Sequence, residues 1–306
     1  MSVRTCVPAI AAAAVALAVL GGCGSGGAPP AARSSSSGSS SVSASPSVSG
    51  RADVPTPDHV MVVIFENEDA ENIVGGPDAP YLTSLARSGA TLTDAHGVAH
   101  PSQPNYLALF SGSTHGVTDD SCPQTFSGAN LAAGLEKAGR SFVGYSEDMP
   151  GADYTGCRTG RYARKHNPWA DFPDLPASVN QPYSALPTDF SQLPTVSFVV
   201  PNLCNDMHDC GVAAGDAWAK QNLPAFVDWA RGHNSLLVVT FDEDNGSRAN
   251  HIATLLVGPM VTPGTYDQRI DHYGVLRTLE DMYGLPHIGH AVQAAPLTGV
   301  WSGSPR

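Results

Sequence analysis

From residue 59 onward the chain is punctuated by short, unbroken apolar runs rich in β-branched residues. Val60-Met61-Val62-Val63-Ile64-Phe65 is the clearest, and comparable runs recur at residues 141–145, 195–200, 236–241 and 252–257. A run without polar alternation is the pattern of a strand buried on both faces. Between these runs, residues 80–87, 105–110, 131–137, 217–231 and 273–283 carry apolar positions at helical spacing. Buried strands alternating with helices predict right-handed crossovers and an α/β three-layer sandwich around a mainly parallel central sheet. No internal repeat and no second linker interrupts the pattern, so residues 56–306 read as one folded domain.

The residues before 56 follow a different logic. Arg4 supplies a positive start and residues 7–20 are an apolar run of secretory-signal length, too short for a comfortable membrane span. The run ends in Leu20-Gly21-Gly22-Cys23, which resembles the bacterial lipobox, where a small-residue pair precedes a cysteine that is lipidated and becomes N-terminal. Residues 1–23 are therefore read as a lipoprotein signal peptide, with ordinary signal cleavage as the alternative. The protein is expected to be exported and held on the outer face of the cell membrane through a lipid on Cys23. Residues 24–55 are dominated by Ser, Gly, Ala and Pro, a composition that buries too little surface to fold and so predicts a disordered linker.

Composition narrows the function. The 306 residues are 42% hydrophobic, enough for one substantial core. A formal charge of −12 argues against a general nucleic-acid binder. With only 16 Lys and Arg, a phosphate-bearing substrate needs concentrated local positive charge, and a bound metal ion is the economical source. Outside the signal region the cysteines are Cys122, Cys157, Cys204 and Cys210, an even set in an exported chain with no CxxC pair, which predicts two disulfides. Three connectivities are open. Cys204–Cys210 with Cys122–Cys157 is chosen because the first pair closes a short loop beside the candidate site.

In open α/β sheets ligands gather outside the carboxyl ends of the strands. Glu66 and Asn67 follow the run at 60–65, Pro201-Asn202-Leu203-Cys204-Asn205-Asp206-Met207-His208-Asp209 follows 195–200, and Asp242-Glu243-Asp244-Asn245 follows 236–241. In His100-Pro101-Ser102-Gln103-Pro104-Asn105-Tyr106 a hydroxyl precedes a helical stretch, beside free backbone N–H groups that favour an anionic phosphoryl group. A serine in that place is on its own more often an N-cap, and an acidic turn such as 242–244 can simply be solvated. Taken together, though, carboxylate, amide and hydroxyl oxygens on one rim suit a hard divalent cation.

These segments, with Lys165-His166-Asn167-Pro168 and the later His251, resemble in order the bacterial phosphoesterase family that contains non-haemolytic phospholipase C and acid phosphatase enzymes, within the alkaline phosphatase superfamily. The resemblance implies an alkaline phosphatase-like fold and a metal-dependent hydrolase of phosphate esters. It makes Ser102 the nucleophile, which attacks phosphorus in line and forms a phosphoserine that water hydrolyses. Glu66, Asn67, Asp242, Glu243 and His251 are the implied metal ligands, and Asn67, Asn105 and Lys165 the implied contacts to the phosphoryl group. His166 and His208 resemble histidines near the phosphoryl or leaving group, with His208 the candidate acid. One divalent ion or two are implied, zinc, calcium, magnesium or manganese. Pro201-Asn202 followed by Asp206 departs from the Asp and His of two-metal members, which puts a full two-zinc site in doubt. The substrate is a small-molecule or lipid phosphate ester.

Rival readings are weaker. A sulfatase needs Arg where Tyr106 stands. Gly112-Ser113-Thr114-His115-Gly116 has the outline of an esterase elbow but follows a helix rather than a strand. A non-catalytic surface lipoprotein is disfavoured by the polar residues retained at every strand end.

Overall fold

The structure, a computed structural model, describes residues 54–303. The signal-peptide reading, and the linker reading apart from Val54 and Pro55, fall on residues outside that range. The strands are β1 (His59–Phe65), β2 (Ala90–Leu92), β3 (Ala95–His96), β4 (Phe142–Ser146), β5 (Arg158–Thr159), β6 (Tyr162–Ala163), β7 (Asn180–Pro182), β8 (Val196–Val200), β9 (Ser235–Phe241), β10 (Thr254–Val257), β11 (Gly264–Tyr266) and β12 (Ile270–Asp271). The α-helices are α1 (Ala70–Ile73), α2 (Pro80–Ser88), α3 (Ser102–Ser111), α4 (Leu131–Lys137), α5 (Val212–Asn222), α6 (Pro224–Ala230) and α7 (His272–Tyr283).

Eight strands form one sheet in the order β11-β2-β10-β9-β1-β8-β4-β7. β1 lies at its centre, paired in parallel with β8 and β9, and every residue from Val60 to Phe65 is buried, as its unbroken apolar run requires. Helices α2, α5 and α6 pack with one another in one layer, and α3, α4 and α7 in another. The result is the α/β sandwich read from the alternation of runs.

Two differences from the sequence reading have physical causes. The single helix expected at 217–231 is two, α5 starting earlier and α6 beginning at Pro224, which lacks the N–H needed to continue a helix but suits a first turn. The run at 252–257 becomes β10, which is antiparallel to both β9 and β2. The connection over 242–253 therefore turns back at the carboxyl end of β9 and stays on the rim. Thr114 lies in the loop after α3, away from any strand-to-helix turn.

Cys122 is bonded to Cys157, and Cys204 to Cys210. Among the described residues no helix is long and apolar enough to cross a membrane.

The excursion between β4 and β7 carries Lys165 and His166, and Trp169 fastens it to the sheet. Its indole lies so close to Gly144 of β4 that a Cβ there would sit 2.1 Å from Trp169 Cε2. Gly144→Ala is therefore expected to cost about 1–3 kcal/mol through overpacking, measured by urea unfolding. An unchanged midpoint would contradict this packing.

Candidate active site

Strand adjacency places the first groups. Glu66 continues β1 between its two parallel neighbours. Its backbone N–H donates to the Asp206 carbonyl at 2.8 Å, and the Asp242 N–H donates to the Phe65 carbonyl at 3.0 Å. Chain segments following β8, β1 and β9 thus bring Asp206, Glu66 and Asp242 together, and all three are buried. Asn67 turns the chain into the left-handed region with φ 56°, a conformation asparagine tolerates, and its N–H donates to Asp242 Oδ1 at 3.2 Å.

Helix α3 supplies the hydroxyls. Ser102 is its first residue and Pro101 occupies the N-cap, so Ser102 Oγ is not used for capping. It lies 2.9 Å from Glu66 Oε2 and 3.1 Å from Glu243 Oε1, yet one hydroxyl proton serves only one carboxylate at a time. One turn on, Tyr106 donates its phenol to Glu66 Oε1 at 2.5 Å and stacks on His166 with ring centroids 5.0 Å apart. His166 Nε2 is 3.1 Å from Glu66 Oε1 and its Nδ1 is 3.4 Å from Asp206 Oδ2. Donor atoms of Glu66, His166 and Asp206 all lie within 4.8 Å of one another.

The electrostatics are those of a buried acidic centre. Burial pushes the Glu66 carboxyl well above the usual carboxylate range, and the charge of Asp206 pushes it further. Asp206 and Asp242 are likewise pushed well up by burial, and Glu243 is raised for the same reason. Burial drives His166 well below the ordinary histidine range, so its imidazole is neutral. Asp242 Oδ2 has no hydrogen-bond partner, and the contacts of His166 Nε2 with Glu66 and of His166 Nδ1 with Asp206 Oδ2, although close, lack hydrogen-bond geometry. Buried polar atoms are almost always paired, and carboxylate oxygens with a neutral imidazole form a donor set that fits a divalent cation.

A cleft of about 530 Å³ opens onto this centre, lined among others by Asn67, His100, Met207, His208, Glu243 and Asn245.

Comparison with known proteins places the chain. The Phosphoesterase family matches residues 76–286. A phosphatidylinositol-3-phosphatase of Mycobacterium tuberculosis is 48% identical over 265 residues, covering 85% of this chain and 88% of that protein. The chain belongs to the phosphoesterase family. A phosphate-repressible acid phosphatase of Penicillium chrysogenum is 32% identical over 76% of this phosphoesterase, which spans 60% of the fungal protein. In fold, a Vibrio parahaemolyticus protein of the alkaline phosphatase superfamily aligns with a TM-score of 0.54 at 16% identity, over 80% of this chain and 71% of that one. The phosphoesterase is a hydrolase of phosphoric ester bonds.

The sequence-predicted residues of this phosphoesterase fall into four groups. Ser102, Glu66, Asn67, Asp242 and Glu243 meet at the centre. His208 lines the cleft, with Lys165 Nζ 3.4 Å from its Nε2 and its Nδ1 2.7 Å from Asp209 Oδ1. His166, expected near the phosphoryl or leaving group, is buried at the centre between Glu66 and Asp206. Two residues do not join the site. His251 donates from Nε2 to the Thr93 carbonyl at 3.1 Å, its Nδ1 lies 3.7 Å from Glu71, and it contacts none of the central carboxylates. Its place at the turn into the antiparallel strand directs it along the outer rim. Asn105 is also corrected: Oδ1 accepts from Val98 N and Ala99 N, and Nδ2 donates to the carbonyls of Ala99 and Pro101. Both donors and both lone pairs are then committed, leaving nothing for a phosphoryl oxygen. Asn105 clamps the loop that delivers Ser102.

Tyr106 and His100 were missed as site residues. Tyr106 was open to discovery because it lies four residues after Ser102 and so on the same helical face. His100 reaches Glu243 Oε2 through Nδ1, while its Nε2 donates to the Ser247 carbonyl at 3.0 Å.

Asn105→Ala is expected to lower stability by about 2–4 kcal/mol, because it strands buried backbone groups at 98–101, and to depress kcat by displacing Ser102. Thermal unfolding and steady-state kinetics check it. A variant with wild-type stability and a selectively raised KM would restore Asn105 as a substrate ligand.

Proposed function

We propose that this protein is an exported, metal-dependent phosphatase that cleaves phosphate esters through a phosphoserine intermediate on Ser102, and that a lipid on Cys23 holds it at the outer face of the membrane. The observation that carries the reading is the placement of Ser102 Oγ against Glu66 and Glu243, beside buried donor atoms that have no other partner.

Glu66, Asp242, Glu243, Asn67, Asp206 and His166 would hold a divalent cation, which when bound would supply neutralisation of phosphoryl charge and Lewis acidity. The mixed oxygen and imidazole set suits zinc or manganese better than calcium. The chain does the rest. Ser102 gives its proton to a neighbouring carboxylate and Oγ attacks phosphorus in line, while the bond to the leaving oxygen breaks. Lys165 orients the phosphoryl oxygens. His208, anchored by Asp209, protonates the leaving oxygen, a role to which imidazole is suited near neutral pH. Water then cleaves the phosphoserine and releases phosphate. Likeness to the mycobacterial phosphatidylinositol-3-phosphatase supports a monoester on a polar headgroup as substrate, and the polar lining of the cleft suits such a headgroup.

Hydrolysis of p-nitrophenyl phosphate tests this. Ser102→Ala is expected to lose at least about a thousandfold in kcat with its circular dichroism unchanged, and acid-quenched wild type should carry substrate-derived phosphate on the Ser102 peptide. Turnover within about tenfold of wild type in Ser102→Ala would remove the serine from the mechanism.

A further inference from the structure

Beside His208, which lines the cleft, Lys165 forms an ion pair whose acidic member, Asp120, the chemistry above does not use. Asp120 lies in the irregular segment after α3, and each of its carboxylate oxygens accepts one hydrogen bond. Its Oδ2 accepts from Lys165 Nζ at 2.7 Å, and its Oδ1 accepts from the Gln103 N–H at 3.0 Å. Gln103 directly follows Ser102, so this one carboxylate ties the first turn of the nucleophile's helix to the ammonium of Lys165. The pair is largely withdrawn from water, with side-chain exposures of 16% for Lys165 and 31% for Asp120. That separates it from freely exposed surface pairs, whose contribution is small.

A four-carbon stem with three donors is flexible. Without a fixed partner the ammonium is free to swing away from the position in which it meets the substrate.

The covalent framework converges on the same pair. Cys122, two residues after Asp120, is bonded to Cys157. Cys157 opens the β5–β6 ribbon, and Lys165 follows that ribbon two residues beyond Ala163. The Arg164 N–H donates to the Cys157 carbonyl at 3.0 Å, closing the ribbon's base. One disulfide therefore fastens the two segments that present Asp120 and Lys165.

We propose that Asp120 is a positioning residue. It holds the Lys165 ammonium beside His208 and ties it to the first turn of the helix that carries Ser102, so that Lys165 meets the phosphoryl oxygens of the substrate and of the phosphate product. The Cys122–Cys157 bond sets the distance between the two segments. This rests on the phosphatase reading of the site.

The test is a double-mutant cycle on the full exported protein, reading KM for p-nitrophenyl phosphate, kcat, Ki for inorganic phosphate and melting temperature. Asp120→Asn should raise KM and Ki about tenfold, the equivalent of about 1.4 kcal/mol, with kcat within about threefold. Lys165→Met should raise KM and Ki at least as far and lower kcat as well, the double variant should be no worse than Lys165→Met alone, and Asp120→Glu should recover part of the loss of Asp120→Asn. Additive single effects, or a lower kcat and melting temperature at unchanged KM and Ki, would overturn the proposal. A wild type that neither turns over p-nitrophenyl phosphate nor is inhibited by phosphate would overturn the phosphatase reading itself, and this proposal with it.

Discussion

Three carboxylates are forced together by the sheet before any chemistry is considered. Glu66 continues the central strand, Asp242 continues one parallel neighbour, and Asp206 returns from the other, with backbone hydrogen bonds from the Glu66 and Asp242 amides fixing their relative heights. Each is removed from water, where a lone ionised carboxylate costs several kcal/mol and like charges add to that cost. Burial raises all three carboxyls, so the charge is relieved either by protonation or by a bound cation. Most other features of the rim follow from satisfying this constraint.

The supporting groups each fix one degree of freedom of the acidic centre. Tyr106 donates to one Glu66 oxygen and Ser102 to the other, so the two hydroxyls sit one turn apart on the same helix face. His272, at the start of α7, donates from Nε2 to the Asp242 carbonyl at 2.6 Å and pins the turn after β9. Asn105 and Asn250 both bond the Ala99 carbonyl, each at 2.8 Å, and so hold the loop that feeds Ser102 into α3. The Cys204–Cys210 bond closes the loop that carries Asp206 and His208. Side chains in such a scaffold act by direction as much as by identity.

That distinction explains which parts were legible in the sequence. Strands buried on both faces write themselves as continuous apolar runs, so the sheet and the rim residues Glu66, Asn67, Asp242 and Glu243 could be read from position alone. Strand direction leaves no such mark, and the antiparallel course of β10 was invisible. Its consequence was the misplacement of His251, which the turn over 242–253 carries along the outer rim. Asn105 sat in the right motif, but a motif fixes residue type and not where the amide points. His166 with Asp206 was hidden for another reason: the two meet only after long excursions from different strands, which no local spacing records. Tyr106, by contrast, was within reach of helical periodicity.

The central claim is that the buried carboxylates of Glu66, Asp206 and Asp242 exist to hold a divalent cation. Elemental analysis of the natively folded full-length protein, coupled to its melting temperature before and after exhaustive chelation, tests it most directly. The account predicts about one to two equivalents of divalent metal per chain, a marked drop in melting temperature on its removal and recovery on its return, because a ligand bound only by the folded form stabilises that form by mass action. Protein that carries no stoichiometric metal, and whose melting temperature is indifferent to chelator, would contradict it.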